Sequence, residues 1–393
     1  MKNPLAWFAV LITLLLSACG GSPSVPGVPT GVSVTAGDSR AVVSFTQEAG
    51  LEYWVFYAPG DTVSFPGSMQ VDGYRSVRLA KSPQAITGLT NGTQYAFIVA
   101  ASNSGSKAGP TSAAVAVTPR PAGSTWSAGT ATGTVTLNAL VFDGTRFVAV
   151  GDAGTILVSA DAVTWTPATS GTSANLLAIT FAGSRYVAVG TGGTVLVSTD
   201  RVTWSAAGSG TAVSLNGIAY LLGQYYAVGD GGTLLRSTDA GTWIATATGT
   251  TAALYAAGAY GDRAVVVGAG GTLLTSSNLT DWAPASSGTT AALRALAQGN
   301  GRVVAVGDGG ALTGSADGLS WAPAASGTGS ALRAVGYGSR YVAVGAGGTV
   351  LTSTDGLTWA AATSGTTVSL GATSFGLNTY LATGPAGALF VSQ

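Results

Sequence analysis

The side chains able to take part in chemistry stand at two repeating offsets. One residue after each of seven evenly spaced leucines the chain carries Asn138, Leu177, Asn216, Tyr255, Arg294, Arg333 and Gly371. One residue after each of seven equally regular glycines it carries Asp152, Thr191, Asp230, Ala269, Asp308, Ala346 and Pro385. Positions that vary in charge, polarity and aromaticity on an otherwise repeated frame are what a binding face needs. Asn138, Asn216, Tyr255, Arg294 and Arg333, with the acids Asp152, Asp230 and Asp308, are therefore the candidate ligand-binding residues. For the three aspartates there is a rival reading, because Asp in a Gly-Asp-Gly turn is good turn chemistry on its own.

Catalysis has little to work with. Residues 121–393 contain no Glu, Lys, His or Cys, and their ionisable groups besides Tyr are nine arginines and eleven aspartates. Glycoside hydrolysis can run on two carboxyl groups, so a pair of aspartates is the one conceivable arrangement. Most of these aspartates, however, fall at repeated turn positions. The whole chain has no histidine and a single cysteine, Cys19. That removes internal disulfides and zinc sites of the His–Cys type. A binding protein without cofactor or metal is expected, not an enzyme. With formal net charge zero and 8% charged residues, the chain also lacks the basic footprint that nucleic acid requires.

The elements that hold these positions repeat as well. Tryptophans fall at 126, 165, 204, 243, 282, 321 and 359, five of the six intervals being 39 residues. The unit Leu332 to Thr366 shows the plan. Leu332 to Tyr337 reads as a first strand, Arg340 to Val344 as a second, Thr349 to Ser353 as a third, and Leu357 to Ala361 as a fourth carrying the Trp. Gly345-Ala346-Gly347-Gly348 makes the tight turn between the second and third. Four short strands per unit with no helical period describe a propeller blade. The last unit ends after three strands, and Ser124 to Ser127 supplies a lone fourth strand with the same Trp. Docked together they complete a seventh blade and close the ring, whereas a solenoid would leave both ends open. The first strands would line a central channel and place the candidate residues around its mouth. In the second unit, alternation puts Leu176, Ala178 and Thr180 on one face and Leu177, Ile179 and Phe181 on the other.

The segments Ser353-Thr354-Asp355-Gly356-Leu357-Thr358-Trp359 and Ser315-Ala316-Asp317-Gly318-Leu319-Ser320-Trp321 resemble the Asp-box of sialidase-like and related BNR propellers. The box is one residue shorter here, and the fourth unit has Ser277-Asn278 in place of an Asp. With its VGxGGT turn the repeat, over residues 124–393, also resembles photosystem assembly factors of the Ycf48 type. The box implies architecture, with its Asp as a structural turn, and carries no activity, while the Ycf48 resemblance would imply, as the alternative to a binding module, an assembly factor or scaffold for an envelope complex. A sialidase-like site would need a Tyr–Glu pair, and no Glu is present beyond residue 120.

The N-terminus reads as a processing signal. Residues 1–18 have Lys2, a short apolar run from Leu5 to Leu16, and the sequence Leu16-Ser17-Ala18-Cys19, which resembles a bacterial lipobox. That resemblance implies cleavage before Cys19 and its lipidation. Gly20 after it favours the outer membrane of a bacterial envelope. The lipid anchor is then the only expected membrane contact. Residues 19–29 form a Pro-rich tether. Residues 30–119 contain strand-like runs, and Ala85 to Val99 resembles the E-to-F region of fibronectin type III domains. In that family Leu89 would be core, Asn91-Gly92 a turn and Tyr95 the corner tyrosine. Phe45 stands where the family's usual tryptophan would be, while Trp54 sits on the next strand. Residues 120–123 are a hinge. The expected fold is all-β: a fibronectin type III sandwich followed by a seven-bladed propeller with three-plus-one closure. The expected partner is a protein or glycan at the cell envelope, bound by a monomer.

Overall fold

The computed structural model describes residues 25–63, 75–78, 80–103, 108–130 and 133–392. The expected signal segment, Cys19 and the first part of the expected tether lie outside these residues. The chain is all-β and divides into two units, one holding Val42–Ala85 and Gln94–Val117, the other Thr118–Gln393 with Thr35–Ala41 and Ile86–Thr93.

Two antiparallel sheets form at the N-terminal end. Ser33–Gly37, Arg40–Ser44 and Gln84–Thr87 make a three-stranded sheet, and Arg75–Arg78, Leu51–Pro59, Tyr95–Asn103 and Val115–Val117 a four-stranded one. Leu51–Pro59 and Tyr95–Asn103 pair along their full lengths. Their alternation sends Trp54, Phe56, Ala96, Ile98 and Ala100 into one buried cluster. Tyr53 and Tyr57 leave by the other face, Tyr53 to meet the Phe45 ring at 4.9 Å and Tyr57 to stack on Phe97 at 5.6 Å. Phe45 and Trp54 are therefore both buried, on opposite faces of one strand pair. Leu89 is buried, and the Asn91 carboxamide accepts the Ser39 N–H at 2.8 Å across the turn.

Among the described residues from Trp126 onward there are seven four-stranded antiparallel sheets. The first strand of each packs against the first strand of the next, and that of the seventh against Leu137–Phe142 of the first, so the sheets form a closed ring. Six sheets are consecutive in sequence. The other joins Ala372–Gly376, Thr379–Thr383 and Leu389–Ser392 to Trp126–Ala128, with Ser392 opposite Trp126. The core lies between neighbouring sheets. One cluster, for instance, unites Val148, Val150 and Ile156 of the first sheet with Leu176, Ile179 and Tyr186 of the second.

That cluster corrects the alternation expected for the second unit. Leu176 packs with Ile179 and Phe181, while Ala178 packs on the opposite side. A β-bulge is the cause: Leu176 pairs with Gly190 and Ala178 with Val189, leaving Leu177 unpaired. The extra residue shifts the parity by one.

In five of the seven sheets the outer turn is tied by a boxed acid, Asp161, Asp200, Asp239, Asp317 or Asp355. Asp355 accepts the N–H groups of Leu357 and Thr358, both at 2.8 Å. Such backbone donors hold the carboxyls of Asp200, Asp239 and Asp355 down to about 2. Asn278 takes the same two bonds in the fourth sheet, from Thr280 at 3.0 Å and Asp281 at 2.8 Å.

Candidate binding site at the centre of the ring

The bulge recurs in the first six sheets, always at the residue following the marker leucine. A bulged residue leaves the ladder, and its side chain is re-aimed. Here all of them point one way. Asn138, Leu177, Asn216, Tyr255, Arg294 and Arg333 line a single cavity of about 520 Å³, completed on the seventh sheet by Ser369, Gly371, Gly384 and Pro385. That volume lies within the ordinary range for small-ligand pockets, ~300–1,000 Å³. The five non-acidic candidates are thus brought together.

The three aspartates are not part of this lining, and each is engaged by the bulged residue of its own sheet. Asn138 donates to Asp152 at 2.9 Å and Asn216 to Asp230 at 2.8 Å. Arg294 makes a two-pronged contact with Asp308, Nε to Oδ1 at 3.1 Å and a terminal nitrogen to Oδ2 at 2.6 Å. The turn reading alone does not account for these acids, since they also orient the mouth. Asn138 and Asn216 each reach the neighbouring sheet too, donating to the carbonyls of Leu176 at 3.0 Å and Leu254 at 3.1 Å. They bolt the first sheet to the second and the third to the fourth.

Electrostatics divide the mouth. The Arg294 guanidinium lies 4.4 Å from the centre of the Tyr255 ring, a cation–π contact. Its bonds to Asp308 raise its affinity for the proton, and Arg294 first, then Arg333 at longer range, holds the Asp308 carboxyl below its usual value. The pair is only part-buried, the two side chains being 36% and 41% exposed, so solvent screens it. Arg333 is exposed and makes no hydrogen bond or ion pair among the described residues. Its sheet has Ala346 where the fifth has Asp308.

Thr136 and Ser369 also line the cavity, and inspection of the sequence passed over them. Their signal was position, for each directly precedes a marker leucine. Among the described residues no three His, Cys, Asp or Glu side chains gather as metal ligands would.

No family model and no curated protein matches the chain. Solved structures do. A structure described as YCF48 bound to D1 peptide is 20% identical with a TM-score of 0.57, covering 68% of this chain and 94% of that one. YCF48 from Cyanidioschyzon merolae is 18% identical with a TM-score of 0.54, covering 68% and 98%. The WD40 β-propeller domain of Doa1 is 13% identical with a TM-score of 0.53, covering 68% and 97%. The fold is a β-propeller. At these identities the likeness speaks of architecture alone.

Proposed function

We propose that this chain is a non-catalytic lipoprotein of the bacterial cell envelope, more specifically of the outer membrane, that holds a protein partner at the mouth of its propeller. In this reading Cys19 carries the lipid and residues 19–29 are the tether. Residues 30–119 are a fibronectin type III spacer, and residues 124–393 are seven blades closed three-plus-one.

One observation carries the proposal. The positions at which the repeats diverge are the bulged positions, and their side chains converge on one cavity. A frame that repeats while its inward-turned residues differ is built to recognise something. A protein partner is favoured over a glycan by the similar propeller described as bound to a peptide. The same similarity favours, as a second role, an assembly factor or scaffold for an envelope complex. Catalysis is left out because residues 121–393 lack Glu, Lys, His and Cys, and because Asp152, Asp230 and Asp308 are occupied by Asn138, Asn216 and Arg294.

The test is capture from envelope extract by the full-length protein beside its Tyr255→Ala/Arg294→Ala/Arg333→Ala variant. A protein retained by the parent and lost from the variant supports the reading, and equal retention by both sinks it. A saccharide-array signal lost in the same variant would replace protein by glycan. Cys19→Ser, followed by membrane fractionation, tests the anchor: the variant should leave the membrane fraction.

A further inference from the structure

The mouth is not uniform around its circumference, and its unevenness names a ligand chemistry. We infer that the seat lies between Arg333 of the sixth sheet and the gap at Gly371 of the seventh, and that it takes one carboxylate presented by the partner protein. The inference rests on the proposed role of the mouth as a binding site.

Most of the circumference is already committed. An amide nitrogen has two hydrogens, and those of Asn138 and Asn216 are both engaged, on Asp152 and the Leu176 carbonyl in one case and on Asp230 and the Leu254 carbonyl in the other. Leu177, between them, offers nothing polar. In the fifth sheet Arg294 is neutralised by Asp308, and one face of Tyr255 is covered by Arg294.

Arg333 differs on each count. It is exposed, it makes no hydrogen bond or ion pair among the described residues, and Ala346 supplies no acid behind it. Beside it the lining changes character. The seventh sheet has no bulge, its Gly371 N–H bonding Thr383 at 2.7 Å, and Gly371 contributes no side chain to the cavity it lines. Packing does not demand that glycine. A Cβ there would meet nothing nearer than the Thr383 carbonyl oxygen at 3.8 Å and that of Leu137 at 4.0 Å. Glycine at this point leaves space, and Ser369 and Thr136 line the same wall.

Arg294 and Arg333 share one acid, Asp308, which bonds the first and attracts the second only at longer range, so one positive charge is left in excess beside this space and calls for a single negative charge. A guanidinium presents a planar fork that matches the two oxygens of a carboxylate. The second sheet shows what filling the seat would look like, for Leu177 occupies the equivalent position.

The experiment uses the full-length protein labelled with ¹⁵N-arginine. N-acetyl-glutamate N-methylamide is titrated against it, with N-acetyl-glutamine N-methylamide as the uncharged isostere. The acid should shift the Arg333 Nε–H resonance saturably, and the amide should leave it in place. Arg333→Gln and Gly371→Leu should each weaken binding of the acid at least ~10-fold, the loss expected with a charge-assisted hydrogen-bond pair, while Arg146→Gln, an exposed arginine outside the cavity lining, leaves it unchanged. Equal binding of acid and amide would overturn the inference, as would full binding by Arg333→Gln. That variant changes an exposed side chain, so it keeps the test decisive should Gly371→Leu misfold. The two levels fail separately. Partner capture lost in the triple variant with no response to the acid would leave the proposed function standing and remove the carboxylate seat. A response at Arg333 with capture indifferent to the triple variant would do the reverse.

Discussion

The four-residue turn beside the mouth makes a sharp prediction, because two adjacent glycines in it do different jobs. In the sixth sheet Gly347 has φ +62° and Gly348 φ +71°, so both lie in the left-handed region. A Cβ on Gly347 would meet nothing within 4 Å, whereas one on Gly348 would sit 1.9 Å from the Thr366 carbonyl oxygen and 2.8 Å from its carbon. Nature has run the first experiment, since the first and seventh sheets carry Ala153 at φ 52° and Ala386 at φ 54° in the position of Gly347. Gly347→Ala should therefore lose only about 1 kcal/mol, the left-handed strain of ~1–2 kcal/mol being partly offset by a stiffer unfolded chain. Gly348→Ala carries the same strain and must also push the Thr366 carbonyl aside, for roughly 1–3 kcal/mol more as overpacking. In thermal melts followed by tryptophan fluorescence the second variant should melt roughly 2–12 °C below the first, taking ~2–4 °C per kcal/mol. If the two melt within about 1 °C of each other, the close approach does not explain the second glycine.

Three further outcomes are expected. Asn278 donates to Asp281 at 2.8 Å, so Asn278→Asp should destabilise the fold at neutral pH by setting two carboxylates together, and adding Asp281→Thr should restore it; urea melts of both variants check this. The carboxyls of Asp200, Asp239 and Asp355 are lowered from 3.8 to about 2, so their stabilisation is whole above about pH 4 and is lost as pH falls from there through about 2; melting temperatures measured down that window should fall, and fall less in Asp355→Asn. Asn216→Ala removes bonds to Asp230 and to the Leu254 carbonyl and should lower stability by about 1 kcal/mol in urea melts.

The ring was legible in the sequence because repetition multiplies a weak signal. One four-strand unit is ambiguous, but Trp, Gly and Leu markers in register across seven copies fix the strand order and the half-built last unit. The candidate residues were legible for the same reason, as the places where the copies disagree. What alternation missed was the bulge. Period-two reasoning assumes that every residue keeps its place in the ladder, and Leu176 then falls on the wrong face.

The partnership between the two variable positions was also present in the sequence. Wherever the residue after the glycine is Asp, the residue fourteen before it is a hydrogen-bond donor: Asn138 with Asp152, Asn216 with Asp230, Arg294 with Asp308. Where it is Thr191, Ala269 or Pro385, the partner position holds Leu177, Tyr255 or Gly371, and none of these needs an acid. Arg333, which faces Ala346, is the one charged donor of the set without an acid at that position. In the fourth sheet the outer turn shows how such pairing behaves when it is intact, since Asn278 replaces the boxed acid and the acid reappears three residues on as Asp281, bonded back to it. The structure thus moves acids and donors together elsewhere, and leaving Arg333 unmatched is a departure from its own pattern. An exposed guanidinium at the rim of a cavity, with a glycine beside it that packing does not require, is better explained by a partner that supplies the missing carboxylate than by drift in the repeat.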